Sequence, residues 1–113
     1  MLVIYVAGPF TGVNAWEVEQ NIRRAEEIAF EIAKLGAMPL CPHANTRFFH
    51  GTLTPAFWYE GTLELLKRCD AIMMVSGWSR SQGAVREHDW AQANGMPIFL
   101  DTNISAWIHE KTS

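Results

Sequence analysis

The sequence contains no block of lysines or arginines, and its net charge is −3. That leaves no basic surface to hold a nucleic acid or an acidic membrane. It has only two cysteines, Cys41 and Cys69, in a chain that reads as cytosolic, so free buried thiols are expected rather than a disulfide. A zinc site built from Cys41, His43 and His50 lacks a recognisable ligand spacing, and no metal is expected. Long apolar runs are missing as well. The opening segment Met1-Leu2-Val3-Ile4-Tyr5-Val6-Ala7 has no basic residues before it and is cut off by Gly8-Pro9, too short for a signal peptide or a membrane span. These absences point to a cytoplasmic protein with neither nucleic acid nor membrane as partner. A small anion stays open as a ligand, because a helix N-terminus binds one without net positive charge.

What is present suits one small domain covering residues 1–113, with 49% of the residues hydrophobic. Five tryptophans are many for a chain of 113 residues. They belong either in the core, at a subunit contact or along a pocket. A core of this size is modest, which favours a homodimer or larger oligomer, with some of Trp58, Trp78, Trp90 and Trp107 at the contact.

Strands are expected at residues 2–7, 37–41, 71–75 and 97–100, each a short apolar run bounded by turn residues. Helices are expected from Asn14 to about Leu35, from Pro55 to about Arg68, from Gly83 to Ala93, and from about Ser105 onward. In the first helix Ile22, Ala25, Ala29, Ile32 and Ala33 share one face, and Arg23, Arg24, Glu27, Glu31 and Lys34 the other. Asn14 is its N-cap and Gly36 closes it. Strands and helices therefore alternate. That order predicts an α/β fold, a flavodoxin- or Rossmann-like three-layer sandwich with a parallel sheet of about four strands.

In such sheets the ligand sits beyond the carboxyl ends of the strands. Gly8 to Gly12, Pro42 to Arg47, Ser76 to Gly83 and Asp101 follow strands and fall on that edge. Asp70 precedes a strand and falls on the opposite edge, so its role is structural. The stretch Ser81-Gln82-Gly83-Ala84-Val85-Arg86-Glu87 carries the most chemistry. Ser81 suits an N-cap, and the free amides of the first turn can hold a phosphate or hydroxyl. Glu87 lies one turn beyond Gly83 on the same face, and its side chain tilts back toward the ligand edge. It is either a functional carboxylate or an ordinary solvated one. His88 points about 100° away and is no natural partner for it. The turn Gly8-Pro9-Phe10-Thr11-Gly12 matches neither a Walker loop nor a dinucleotide fingerprint. Its amides can still meet a sugar or phosphate, though a simple tight turn explains its glycines equally. Trp78 either stacks on a base or packs. Arg80 and Arg86 either pair with a phosphate or stay solvated.

Taken in order, Tyr5-Val6-Ala7-Gly8-Pro9-Phe10-Thr11-Gly12, Asn21-Ile22-Arg23-Arg24-Ala25, Cys41-Pro42-His43, Cys69-Asp70-Ala71, Gly77-Trp78 and Ser81-x-Gly83-Ala84-x-x-Glu87 resemble the nucleoside 2-deoxyribosyltransferase-like superfamily. The resemblance is closest to its small phage and bacterial branch and extends to the deoxynucleoside 5′-monophosphate N-glycosidases. It covers residues 3 to about 100. It implies a flavodoxin-like fold, an oligomer, no cofactor, and a nucleoside or nucleoside monophosphate as ligand. In that superfamily the glutamate of the motif is the nucleophile that forms a covalent glycosyl-enzyme, here Glu87. Ser81 and Gly83 would meet the 5′ end of the sugar or its phosphate. Gly8, Pro9, Phe10, Thr11 and Gly12 would line the same pocket. An N-glycosidic bond breaks through an oxocarbenium-like state that a carboxylate stabilises and then traps.

One departure bears on activity. Relatives carry an aspartate in a Gly-Asp-Leu context that assists the leaving base, and this chain reads Gly61-Thr62-Leu63. Threonine is no acid near neutral pH. His43, on the ligand edge, is either a replacement for it or an ordinary loop histidine. Two outcomes follow: an N-glycosidase or deoxyribosyltransferase, or a nucleotide-binding relative with impaired chemistry.

Overall fold

A computed structural model describes residues 1–42, 49, 52–100 and 104–113. The elements run β1 (Val3–Ala7), α1 (Ala15–Lys34), β2 (Met38–Leu40), α2 (Pro55–Lys67), β3 (Ala71–Met74), α3 (Gln82–Ala93), β4 (Ile98–Leu100) and α4 (Ile104–Thr112). A short 3₁₀ turn, Trp78–Arg80, precedes α3. The expected alternation and the four parallel strands are both present, in the order β2-β1-β3-β4. The chain leaves β1 toward β2 on one side and returns to β3 on the other. The switch in strand order therefore falls between β1 and β3, where such sheets open a crevice.

Local chemistry sets the helix ends. Asn14 Oδ1 accepts from Glu17 N at 2.9 Å, and Gly36 follows α1 at φ +94°, which suits a residue without Cβ. Thr54 caps α2, with Pro55 in its first turn. Ser81 Oγ accepts from Ala84 N at 3.2 Å and caps α3. Asp70 has the structural role expected of it. Its carboxylate accepts from Val3 N and its own amide donates to Val3 O, both at 2.8 Å, tying the starts of β1 and β3.

Side chains alternate across the strands and so build two cores. Ile4, Val6, Ala71 and Met73 pack with Ala25 and Ile32 of α1 and with Ile104 and Ile108 of α4. Tyr5, Ala7, Ile72 and Met74 pack with Leu66 of α2 and with Ala84 and Ala91 of α3. Burial of each large apolar side chain contributes roughly 1.5–3 kcal/mol. Ala33 is exposed, not part of the buried face of α1 as its spacing suggested; Lys34 and Glu31 pair beside it at 2.8 Å. The tryptophans expected at a subunit contact, Trp58, Trp78, Trp90 and Trp107, are partly buried, and the exposed one is Trp16. Among the described residues no helix is long and apolar enough to cross a membrane.

Candidate active site

A cavity of about 780 Å³ opens at the carboxyl ends of β1 and β3, under α2 and α3. This is within the roughly 300–1,000 Å³ range of small-molecule pockets. Its walls include Tyr5, Gly8, Phe10, Thr11, Thr62, Ser81, Gly83 and Glu87. Tyr5 comes from the middle of β1, Thr62 from α2 and Glu87 from α3, so three separate elements converge on one point.

Glu87 is the centre of that point. The Tyr5 hydroxyl donates a short hydrogen bond to Glu87 Oε2. The Thr62 side chain is close enough to favour the charged form of this carboxylate. Its hydroxyl donates to the Tyr59 carbonyl at 3.3 Å. Burial pushes the Glu87 carboxyl up from 4.5 to about 7, against the Tyr5 hydrogen bond and the nearby Thr62, which favour the charged form. Tyr5 is held well above its ordinary value, first by burial and then by the Glu87 charge, and so remains a neutral donor at physiological pH. The arrangement is a largely buried carboxylate near half-ionisation at neutral pH, facing a cavity and hydrogen-bonded by the Tyr5 hydroxyl, with Thr62 close by. Groups with this behaviour suit nucleophilic or acid–base work.

The first turn of α3 supplies the second feature. Ser81 Oγ takes the Ala84 amide and Ser81 O takes the Val85 amide at 2.9 Å. The Gln82 and Gly83 amides have no partner among the described residues. Both residues line the cavity one helical turn from Glu87. Gly83 is also where α2 and α3 come close: an added Cβ would lie 3.3 Å from Tyr59 Cε1. Arg86 then covers the same ring, with Cζ 4.2 Å from its centroid.

Seven of the residues expected in the site from the sequence meet at this cavity: Gly8, Phe10, Thr11, Thr62, Ser81, Gly83 and Glu87. Pro9, Gly12 and Trp78 do not line it. Pro9 packs toward Gly77, where a Cβ would sit 3.3 Å from Pro9 Cγ. Gly12 is tight against α1; a Cβ there would meet Glu17 Cβ at 2.5 Å. Glu17 in turn accepts from Val13 N at 2.7 Å. Trp78 stacks on His88, centroids 4.5 Å apart, and packs into the α2–α3 core. Gly8 has a packing reason as well as a place on the wall, because a Cβ would sit 2.7 Å from Val75 Cβ. His43 lies outside the described residues, as do His50 and Asp101. Among the described residues no group of three His, Cys, Asp or Glu side chains is placed to hold a metal.

Tyr5 is a cavity residue to which sequence reasoning gave no role of its own, although it opens the first motif of the resemblance. Its only other signal is a lone hydroxyl in an otherwise aliphatic strand, Val3-Ile4-Tyr5-Val6-Ala7. Tyr59 was likewise not placed on the wall, and no spacing singles it out, whereas Arg80, in the ligand-edge loop Ser76 to Gly83, lines it.

Residues 2–100 match a family model described as Domain of unknown function (DUF4406). No curated protein matches the chain.

Proposed function

We propose that this chain, which belongs to that family, cleaves the N-glycosidic bond of a nucleoside or nucleoside 5′-monophosphate, with Glu87 as the nucleophile. The observation that carries this reading is the buried Glu87 carboxylate on the cavity wall, hydrogen-bonded by Tyr5 with Thr62 close by, one turn from the free amides of Gln82 and Gly83. The motif resemblance supports the same residue in the same role.

The chemistry balances as follows. A Glu87 oxygen attacks the anomeric carbon as the carbon–nitrogen bond breaks, and that electron pair leaves with the base, which takes up a proton. The sugar is then held as an ester on Glu87. Water attacks the same carbon, releases the carboxylate and gives the free sugar. A second base in place of water gives transfer. The amides of Gln82 and Gly83 would anchor the 5′ hydroxyl or phosphate. The aromatic wall of Phe10, Trp58 and Tyr59 suits a planar base. The nucleophile must be ionised, so the rate rises with pH through about 7. We place this activity in the cytoplasm, where nucleotide pools lie.

A second reading rests on Thr62. A hydroxyl stands where relatives keep an acid, which favours a nucleotide-binding protein with little turnover. One experiment separates the two. The protein is incubated with a panel of nucleosides and 5′-monophosphates, and free base is measured by chromatography. Base release abolished by Glu87→Gln supports the enzyme. Ligand protection against heating with no base released supports the binding protein. Neither turnover nor protection overturns both.

A further inference from the structure

In the stretch Asn21-Ile22-Arg23-Arg24-Ala25 of α1, Ile22 and Ala25 are core residues and Arg23 pairs with Glu19 at 3.1 Å. Asn21 does something different. Asparagine is a poor residue for the interior of a helix, because its side chain competes with the backbone for hydrogen bonds. Here the side chain reaches out of the helix instead. Asn21 Nδ2 donates to Phe10 O at 3.3 Å and to Thr11 O at 3.1 Å. Arg24, three residues on, donates from Nη2 to Asn21 Oδ1 at 3.2 Å. A guanidinium only donates, so it meets the amide oxygen and leaves the nitrogen turned to the loop.

Phe10 and Thr11 line the cavity, and Asn21 does not. The loop that carries them has little of its own to hold it. Thr11, Gly12 and Val13 are exposed, and among the described residues they make no main-chain to main-chain hydrogen bond. Side chains of α1 take that place. Glu17 Oε2 accepts from Val13 N at 2.7 Å, and Asn21 follows Glu17 by one turn on the same face. Glu17 thus secures the end of the loop next to the helix, and Asn21 the end next to the cavity. Without the Asn21 clasp, an exposed segment with few bonds opens at small cost.

We infer that Asn21 is a positioning residue for ligand binding, whose amide clasps the Phe10 and Thr11 carbonyls and so keeps that wall of the cavity formed. The inference rests on the nucleotide reading of the cavity and adds to it a residue outside the lining. A ligand that needs the formed wall binds in proportion to the fraction of time the wall is in place. Tyr5, Thr62 and Glu87 stand on β1, α2 and α3, so the clasp bears on binding and not on the carboxylate.

The test uses the full chain carrying Glu87→Gln, so that binding is read without turnover. The four common deoxynucleoside 5′-monophosphates are titrated by calorimetry into this parent and into versions with Asn21→Ala or Asn21→Asp added. Alanine favours the helix, and an ionised aspartate keeps the shape of the side chain and an oxygen for Arg24; both lack the donors. Each version is expected to bind about tenfold more weakly than the parent. Nitrogen-15 relaxation without ligand gives the second reading: order parameters of Phe10, Thr11 and Gly12 should fall, and those of β3 should not. Unchanged affinity in a folded variant overturns the inference and leaves the nucleotide reading standing, whether or not the loop loosens. Weaker binding with unchanged order parameters overturns the positioning role, because the loss then bypasses the loop. Either variant decides alone if the other does not fold. Where the parent binds too weakly to titrate but the unaltered protein releases base, KM for release replaces affinity in the same comparison. No binding of any probe by the parent, together with no base release by the unaltered protein, overturns the nucleotide reading and this inference with it.

Discussion

On the side of the sheet covered by α1 and α4, the strands turn Ile4, Val6, Ala71 and Met73 inward, and the helices answer with Ala25, Ile32, Ile104 and Ile108. On the side covered by α2 and α3, the same strands turn Tyr5, Ala7, Ile72 and Met74 inward, and the helices bring Thr62 and Glu87 toward the Tyr5 hydroxyl. Neighbouring residues of one strand thus serve opposite ends. The closed side gains stability from burial alone. The open side gives some of that up, because it encloses a cavity and keeps a carboxylate out of water. Polar groups that weaken one face of a small domain are tolerable when the other face is dry and well packed. The difference between the faces can be sharpened or broken by substitution.

The largest effect belongs to Thr62. If an acid near the leaving base is what the open face lacks, Thr62→Asp should raise base release. General-acid assistance is worth roughly 10²- to 10⁴-fold. A second carboxyl beside Glu87 also raises the pair's apparent pKa, which keeps part of the new group protonated and able to donate. In a Glu87→Gln background the same change should do nothing. A folded Thr62→Asp protein with an unchanged rate would show that the proton comes from elsewhere.

Two substitutions should move stability in opposite directions. Ile32→Ala on the closed face removes a side chain that is 1% exposed and should cost about 2–5 kcal/mol in urea unfolding. Glu87→Gln on the open face should instead stabilise the protein at pH 8. The folded-state pKa of Glu87, about 7, lies above its ordinary value of 4.5. The folded state therefore binds more protons between those values, and wild-type stability falls as pH rises from about 4.5 to about 7. Above pH 7 the full cost remains, on the order of 3 kcal/mol, and glutamine is spared it. Near pH 4 the gain should vanish. A Glu87→Gln effect of equal size at pH 4 and pH 8 would contradict a buried, charged Glu87.

The sequence made the architecture legible because alternation, caps and turn residues all act locally. Asn14, Gly36 and Ser81 announce helix ends through their own backbone chemistry. Glu87 was legible too, because its relation to Gly83 is a helical spacing. What spacing does not carry is depth across the sheet. Trp78 follows a strand and was expected near the ligand, yet it turns into the core against His88. Gly12 belongs to the expected loop, but its missing Cβ makes room for Glu17. Tyr5 reads as one more core aromatic until α2 and α3 are seen to bring polar groups to its hydroxyl. Its role depends on residues far away in the chain, Thr62 and Glu87, which no local pattern links to it.

The smallest expected effect tests that residue. Tyr5→Phe keeps the ring in the α2–α3 core and removes only the hydroxyl, so the packing of the open face should survive. The Tyr5 bond favours the charged form of Glu87, and its removal should raise the Glu87 pKa further above about 7. The sign follows from which form accepts the bond: a carboxylate loses a donor, while a protonated carboxyl loses less. Carbon-13 NMR titration of the Glu87 carboxyl reads this with no substrate present, so the measurement does not depend on the proposed reaction. In activity, the acid limb of the rate profile should move to higher pH, and the variant should lose more at pH 6 than at pH 9. Stability at pH 8 should drop by roughly 1 kcal/mol, the usual range for a net hydrogen bond or slightly more. A Glu87 titration unchanged by Tyr5→Phe would mean that burial alone sets its pKa. Tyr5 would then be an ordinary core aromatic, and the polar character of the open face would rest on Glu87 and Thr62 without it.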